Sequence, residues 1–90
     1  MFYVYLLESL KNESLYIGRT KDLKKRLEEH NKGLNFSTKR HKPWKCIYYE
    51  ACLNEKDAER RENYLKTSNG FRLIQRRIKE YLYEKRSRKI

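Results

Sequence analysis

Near its start the chain holds a run of apolar and aromatic side chains that is best suited to a buried segment. From Phe2 to Glu8, six successive positions are apolar or aromatic. A run this short and this rich in aromatic residues is typical of a β-strand buried on both faces. The polar stretch 9–14 predicts a turn, and Leu15 to Arg19 predicts a second short strand. Because the two strands are so close in sequence, we expect them to pair as an antiparallel hairpin.

The remaining chain combines three helical patterns with one further strand. A first helix is predicted between the N-cap candidate Thr20 and Gly33, which favours a C-terminal stop. Residues 46–51 predict a third strand. A second helix is predicted over 54–67, ended by the Ser-Asn-Gly that follows, and 71–85 has the apolar spacing of a final helix. The predicted fold class is α+β, in the order β-β-α-β-α-α, with a small three-stranded antiparallel sheet flanked by helices.

The size and charge of the chain limit its partners. Its 90 residues fit one domain, which we assign to residues 1–84, with a basic, frayed tail over 85–90. Lysine and arginine total 23 against 12 aspartate and glutamate residues, which gives a net charge of +11 at pH 7. Such a surplus favours a polyanionic partner. The alternative is a basic surface without a partner.

Hydropathy argues against a membrane protein. Apolar residues make up 38% of the chain and charged residues 39%. No run approaches the roughly 18 apolar residues of a membrane span. The first apolar run is too short for the core of a signal peptide and has no basic stretch before it. We therefore expect a cytoplasmic protein with no membrane partner.

The second predicted helix carries a carboxylate where its pattern predicts partly buried surface. Ala58, Glu62 and Leu65 are spaced four and three residues apart, so they share one stripe of the helix. Burying a carboxylate is costly unless it has a partner. Either Glu62 has such a partner, for instance a buried arginine, or the stripe only looks as if it faces inward.

Two further sets of polar side chains share a face. Leu23, Arg26 and His30 line one edge of the first helix, where the structural alternative is a snorkelling arginine beside a surface histidine. Opposed residues of an antiparallel pair share a face, so a register in which their numbers sum to an odd value puts Tyr5 and Tyr16 together. The alternative is that both are ordinary strand tyrosines.

Several segments together resemble the GIY-YIG nuclease family. The segments that carry the resemblance are Tyr3-Val4-Tyr5, Tyr16-Ile17-Gly18, the first-helix sequence 20–31, and Ala58 to Lys66, which resembles the family's Ala-x-x-x-Glu-x-x-x-Lys helix. Pro43-Trp44-Lys45, before the third strand, resembles the small stand-alone bacterial members of the excision-repair-nuclease type. The resemblance extends from Phe2 to about Leu82, and the first motif departs from it by reading Tyr-Val-Tyr.

The resemblance implies an activity and a set of site residues. Family members hydrolyse phosphodiester bonds in DNA with one divalent metal ion, here Mg²⁺ or Mn²⁺. By resemblance the catalytic residues are Tyr5, Tyr16, Arg26, His30 and Glu62, the last also the metal ligand, and the motif residues are Gly18 and Arg19. Several members also carry an asparagine beyond the metal glutamate, for which the candidate here is Asn69.

The implied roles agree with the chemistry of these side chains. Glu62 offers a hard oxygen ligand for the metal ion, and Arg26 would hold the scissile phosphate. Tyr5 would take the proton of the attacking water, with Tyr16 positioning the water or the base. The reference pKa of tyrosine is about 10, and we expect nearby cations to favour the phenolate. His30 would orient a tyrosine or relay a proton.

Two groups of basic residues are predicted to contact the DNA backbone. The first surrounds an aromatic residue in the loop before the third strand and the second lies on the last helix: Lys39, Arg40, Lys42, Trp44 and Lys45, then Arg72, Arg76 and Lys79. Trp44 is expected either to stack on an unpaired base or to pack in the core. No base-reading module is recognisable, so we expect structure-dependent or weakly specific cleavage. A catalytically weak binding module on the same fold is the alternative, and a partner protein could supply targeting.

Overall fold

The strand built from the first apolar run, β1 (Phe2–Ser9), lies at the centre of the sheet. A computed structural model describes residues 1–89. Along the described chain the other elements are β2 (Leu15–Thr20), α1 (Leu23–Asn31), a short 3₁₀ turn (Lys39–His41), β3 (Trp44–Cys52), α2 (Glu55–Leu65), α3 (Ser68–Arg77) and α4 (Lys79–Lys89). Both outer strands pair antiparallel with β1, in the order β2-β1-β3. The predicted α+β class and three-stranded antiparallel sheet are confirmed.

The register of the hairpin decides which side chains share a face. Tyr5 lies opposite Gly18, and Leu7 lies opposite Tyr16. Opposed residue numbers therefore sum to 23, an odd value, as the predicted arrangement requires. Tyr5 and Tyr16 lie on the same face, and their ring centroids are 6.5 Å apart. This part of the prediction is confirmed.

Alternate residues of β1 belong to two different cores. Val4 and Leu6 pack with residues of α2 and α3 and with Ile78, which caps α3: Ala58, Leu65, Ile74 and Ile78. Tyr5 and Leu7 pack on the other side of the sheet with Trp44, Tyr16, Leu23, Leu27 and Cys46. The strand is thus buried on both faces, as its composition predicts.

Two helix boundaries differ from the predictions. The predicted cap Thr20 is the last residue of β2, and Asp22 caps α1 instead, since its carboxylate accepts a hydrogen bond from the Lys25 amide at 3.0 Å. The Ser-Asn-Gly expected to end the second helix begins α3. Thr67 caps that helix by accepting from the Gly70 amide at 3.1 Å. Serine, asparagine and glycine suit both a stop and a start, so composition alone misassigned them.

The single final helix predicted over 71–85 is two helices, which meet at Ile78. α3 also packs closely on the end of α2. A Cβ on Gly70 would lie 2.6 Å from the Tyr64 carbonyl carbon.

No helix among residues 1–89 is both long enough and apolar enough to cross a bilayer.

A buried carboxylate anchors α4 to the central strand. Glu8 is 3% exposed, and its carboxylate accepts hydrogen bonds from the Tyr81 hydroxyl and the Lys85 ammonium. Burial would raise the pKa of Glu8, but the hydrogen bonds and the nearby lysine charges outweigh it and lower that pKa. The segment expected to fray from residue 85 is therefore helical to Lys89, with Ile90 outside the described residues. The domain division at residue 84 stays a prediction.

Candidate active site

A buried tyrosine on the central strand forms the middle of the site. Tyr5 is 2% exposed, and its hydroxyl oxygen lies 2.8 Å from His30 Nε2. Its ring lies over the backbone of Gly18, the residue opposite it in β2. A Cβ at residue 18 would overlap the Tyr5 hydroxyl and would lie 2.5 Å from Tyr5 Cζ and 3.0 Å from Tyr16 Cε2. The motif glycine is therefore required by the space that the two tyrosine rings occupy.

His30 connects this tyrosine to the loop after α1. The imidazole is fully buried, its Nδ1 lies 2.7 Å from the Thr38 hydroxyl, and its ring centroid lies 5.3 Å from that of Tyr16. Arg26 donates to the Tyr5 oxygen and the Thr38 hydroxyl donates to the Asn35 carbonyl. We therefore assign the Tyr5 hydroxyl as the donor to Nε2 and Nδ1–H as the donor to Thr38. Burial, helped by the positive charge of Arg26, lowers the pKa of His30, so the ring is neutral at pH 7. The surface histidine considered as an alternative is wrong.

Thr38 completes this hydrogen-bonded chain, and the sequence analysis did not select it. Its side chain is fully buried, and its carbonyl oxygen accepts the Trp44 indole N–H at 2.9 Å. One residue thus holds the imidazole of His30 and the indole of Trp44. A threonine in a basic loop has no spacing or composition that marks this role, so only the fold reveals it.

The guanidinium of Arg26 lies beside the Tyr5 phenol and hydrogen-bonds with it. The Arg26 side chain is 35% exposed, and its Nη1 also pairs with Glu29 Oε1 at 3.1 Å. The arginine therefore has one end against the buried tyrosine and one side open to solvent. An anionic group can therefore bind this guanidinium from solvent without any rearrangement that exposes the arginine.

The acidity of Tyr5 differs from the expectation. Burial, the largest influence, raises the pKa of Tyr5 to about 12, although Arg26 acts in the opposite direction. Arg26 favours the phenolate, as expected, but burial outweighs it, so the pKa of Tyr5 lies above its ordinary value. The phenol is protonated at neutral pH and acts as the donor to His30.

Glu62 lies on the other face of the sheet from Tyr5. Ala58 and Leu65 on the same stripe of α2 are buried, so the predicted inward stripe is confirmed. The Glu62 side chain is 15% exposed; its Oε2 lies 2.9 Å from Lys66 Nζ and its Oε1 3.7 Å from Arg19 Nε. Its partners are therefore two partly exposed cations, in place of one buried arginine.

The two parts of the site lie on opposite faces of the outer strand β2. Arg19 lies opposite Val4, so its side chain is on the face that α2 covers, whereas Gly18 is on the face of Tyr5. β2 is an outer strand of the sheet, so groups on its two faces can approach around its edge. The negative charge of Glu62 is the smallest of the influences that raise the pKa of Tyr5.

Most of the predicted DNA-contacting side chains are exposed, but one is not. Lys39, Arg40, Lys42 and Lys45 lie on the surface. Trp44 is only 4% exposed and packs against Tyr16 with ring centroids 6.3 Å apart. Stacking of Trp44 on a base is therefore wrong, and the alternative of a loop aromatic packed in the core is correct. Burial of a large ring and a hydrogen bond for its N–H together favour this placement.

The second basic group lies on one face of the last two helices. Its members line a groove between α3 and α4 together with an exposed tyrosine and a further arginine: Arg72, Arg76, Lys79, Tyr83 and Arg86. Asn69, the candidate for the additional family asparagine, hydrogen-bonds Arg72 on an exposed part of α3.

Comparison with known proteins finds relatives with similar sequences and one matching family. The chain is 40% identical over 90 residues to a UPF0213 protein of Clostridium perfringens. That alignment covers 94% of this chain and 96% of the relative. It is 36% identical over 66 residues to a UPF0213 protein of Staphylococcus saprophyticus, which covers 72% of this chain and 79% of the relative. No solved structure matches the chain. Residues 1–73 match the GIY-YIG catalytic domain. The chain therefore belongs to the GIY-YIG catalytic domain family.

Proposed function

We propose that this protein is a divalent-metal-dependent endonuclease that hydrolyses phosphodiester bonds in DNA. We further propose that it is structure-dependent or weakly sequence-specific, cytoplasmic, and active in repair or recombination. The observation that carries the proposal is the hydrogen-bonded chain Tyr5–His30–Thr38, with Arg26 against its first member. A buried tyrosine, histidine and threonine in series, beside a partly exposed arginine, suit proton transfer next to a bound phosphate.

The proton transfer can be written from these contacts. The oxygen of an attacking water bonds to phosphorus as the bond to the leaving oxygen breaks; the leaving oxygen keeps the electron pair of that bond and takes a proton from solvent. The proton of that water passes to the Tyr5 oxygen, and the proton of Tyr5 passes along its 2.8 Å hydrogen bond to His30 Nε2. Tyr5 is protonated before and after this step, so a phenol with a pKa of about 12 can take part without ionising first.

Substrate binding would make His30 a better acceptor. The positive charge of Arg26 is one of the two influences that lower the pKa of His30. In the proposed mechanism Arg26 binds the scissile phosphate, whose negative charge offsets that of the arginine. The pKa of His30 then rises toward its ordinary value when the phosphate arrives. Arg26 also stabilises the charge that develops on the phosphate oxygens.

Glu62 fits the single protein ligand of a hard divalent ion such as Mg²⁺ or Mn²⁺. The Glu62 carboxylate, whose side chain is 15% exposed beside two cations, is within reach of solvent. Mg²⁺ commonly takes one or two carboxylates and completes its shell with water and phosphate oxygens. When bound, the ion supplies neutralisation of charge on the leaving oxygen. Lys66 would release the carboxylate, and Tyr16 would orient the water from its position beside Tyr5.

Metal-dependent cleavage is the direct test. We expect the purified protein to nick supercoiled plasmid and to cut branched or single-stranded DNA with Mg²⁺ or Mn²⁺, and to leave all of them intact in EDTA. Neutralisation of the leaving oxygen is worth several kcal/mol, so chelation is expected to abolish measurable turnover. Gel analysis of end-labelled substrates measures this. Cleavage that is equal in EDTA would refute the proposed mechanism.

A non-catalytic binding module is a second candidate, and one observation favours it. Both carboxylate oxygens of Glu62 already have cationic partners, Arg19 and Lys66. A glutamate retained only for these ion pairs would need no metal ion. Tight binding of DNA by the unaltered protein, without cleavage under any metal condition, would support this candidate over the nuclease.

A threonine-to-valine change tests the positioning role of Thr38. Valine fills the same buried volume but leaves the Nδ1–H of His30 without an acceptor. The proton can then move to Nε2, the nitrogen that must accept from Tyr5. We expect Thr38→Val to lower the cleavage rate roughly tenfold or more while DNA affinity is unchanged.

Two further measurements separate positioning from a general loss of structure. Thr38→Ser keeps the hydroxyl and is expected to restore most of the rate. The ¹⁵N chemical shifts of His30 are expected to show Nδ1–H in the unaltered protein and in Thr38→Ser, and Nε2–H in Thr38→Val. Equal rates and the same tautomer in all three proteins would remove Thr38 from the mechanism.

A further inference from the structure

The loop after α1 exposes an aromatic ring that neither core uses. Phe36 is 83% exposed, and Leu34, two residues earlier, is 70% exposed. Isolated exposed apolar residues are common, so exposure alone would carry no argument. The surroundings of Phe36 provide one.

The backbone that carries Phe36 is held in place. The Asn35 side chain accepts a hydrogen bond from the Ser37 amide at 2.9 Å, and the Asn35 carbonyl accepts from the Lys39 amide at 3.0 Å. Thr38, two residues beyond Phe36, is fixed by its 2.7 Å hydrogen bond to His30. Since consecutive Cα atoms are about 3.8 Å apart, the Phe36 Cα lies within about 8 Å of that of Thr38. The backbone that carries the exposed ring is therefore anchored next to Thr38, the last member of the Tyr5–His30–Thr38 chain.

One face of the ring already has a cationic neighbour. Lys39 Nζ lies 5.0 Å from the Phe36 ring centroid, within the range of a cation–π contact. With 83% of the residue exposed, most of the ring remains open to solvent. A flat ligand can thus stack on Phe36 while Lys39 contacts a phosphate attached to it.

The positive charge of the segment around Phe36 indicates an anionic ligand. From His30 to Tyr49 the sequence contains five lysine and arginine residues and no aspartate or glutamate: Lys32, Lys39, Arg40, Lys42 and Lys45. An open aromatic ring beside a cation, on a basic stretch of chain, is an arrangement that holds unpaired nucleotides, because each base offers a flat face and each phosphate a charge.

We infer that Phe36 stacks on an unpaired nucleobase of the DNA, and that Lys39 contacts the phosphate of that nucleotide. This inference rests on the proposed function and makes it more specific, since it selects single-stranded segments, flaps or branch points over continuous duplex. It also transfers the stacking role from Trp44, which is buried at the start of β3, to the exposed aromatic residue in the loop after α1.

Binding in EDTA tests the inference without any need for cleavage. We expect Phe36→Ala to weaken binding of a single-stranded oligonucleotide roughly tenfold, because stacking on one aromatic residue contributes on that scale. Affinity for a blunt, fully paired duplex is expected to change less than about twofold. Phe36→Tyr, which keeps the aromatic face, is expected to bind like the unaltered protein. Fluorescence anisotropy of end-labelled DNA gives all of these affinities.

A matched control is available elsewhere on the surface. Leu53 is 84% exposed, lies in the loop between β3 and α2, and is not aromatic. Leu53→Ala is expected to leave both affinities unchanged. An oligonucleotide with one 2-aminopurine is expected to lose fluorescence on binding the unaltered protein and less on binding Phe36→Ala. The inference is overturned by no detectable single-strand binding, by an equal loss in Leu53→Ala, or by an equal loss on duplex.

The failures of the two proposals can be told apart. A protein that cuts no DNA but shows the selective loss in Phe36→Ala would refute the nuclease and retain the stacking site. A protein that cuts DNA with metal, and whose Phe36→Ala variant binds single strands normally, would retain the nuclease and refute the stacking site.

Discussion

Replacing Glu62 by glutamine is expected to lower the rate of metal-dependent DNA cleavage roughly a thousandfold. The amide keeps the size of the side chain but removes the charge that a hard divalent ion requires. Several kcal/mol of transition-state stabilisation depend on that ion, and about 4 kcal/mol corresponds to a thousandfold in rate. The measurement is single-turnover cleavage at saturating protein over a range of Mg²⁺ concentrations, with DNA affinity determined separately in EDTA.

The matched control for this change is Glu59→Gln. Glu59 lies one turn earlier on the exposed side of α2 and pairs with the same arginine, Arg19, at 3.1 Å, but its side chain is 61% exposed. Its loss removes a surface ion pair of small energetic value, so we expect cleavage close to that of the unaltered protein. DNA affinity in EDTA is expected to be retained in both variants. Normal cleavage by Glu62→Gln would contradict the assigned metal ligand.

The second large effect is expected from Gly18→Ala, which adds only one methyl group. The new Cβ would lie 2.5 Å from Tyr5 Cζ, too close for any stable contact. Tyr5 cannot move away easily, because it is 2% exposed and its hydroxyl is held by His30. Overpacking of this kind costs about 1–3 kcal/mol of stability, and a shift of about 1 Å in a reacting group can cost a hundredfold in rate. We therefore expect both losses in this variant.

Gly33→Ala separates the loss of rate from the loss of stability. Gly33 has a φ of 76°, so alanine is strained there, but its Cβ would have no neighbour closer than 3.4 Å. About 1 kcal/mol of stability is expected to be lost without displacement of Tyr5. Thermal unfolding and cleavage, measured at a temperature where both variants are folded, give the comparison. A Gly18→Ala protein with normal cleavage would show that the Tyr5 position is not critical.

Periodicity and local chemistry predict most of the fold because both are local properties. The hairpin follows from two apolar runs separated by a polar turn. Strand alternation puts Tyr5 and Tyr16 on one face only for an odd-sum register, and the structure supplies that register. The inward stripe of α2 follows from helical spacing. The errors concern residues with two compatible roles. Thr20 and Asp22 both suit a cap, and the Ser-Asn-Gly after α2 suits both an end and a beginning.

The rest of the site depends on contacts between distant segments, which no local pattern encodes. Thr38 meets His30 only because the loop folds back over α1, and the same folding buries Trp44. The acidity of Tyr5 is a balance between burial and the charge of Arg26. The direction of the Tyr5 pKa shift cannot be obtained without knowing how deeply the ring is buried. The sequence therefore identifies Tyr5, Arg26 and His30, whereas the tertiary structure determines the pKa shifts of Tyr5 and His30.

The double use of β1 affects how the candidate site responds to heat and to mutation. Val4 and Leu6 face one core while Tyr5, between them, faces the other. The backbone of the tyrosine is thus protected by both layers and cannot be released by local unfolding of a surface loop. Its position persists until the central strand itself separates. One peptide unit joins Tyr5 to Val4 and another joins it to Leu6. We therefore expect a cavity made at either residue, on the opposite face of the sheet, to displace the backbone of Tyr5.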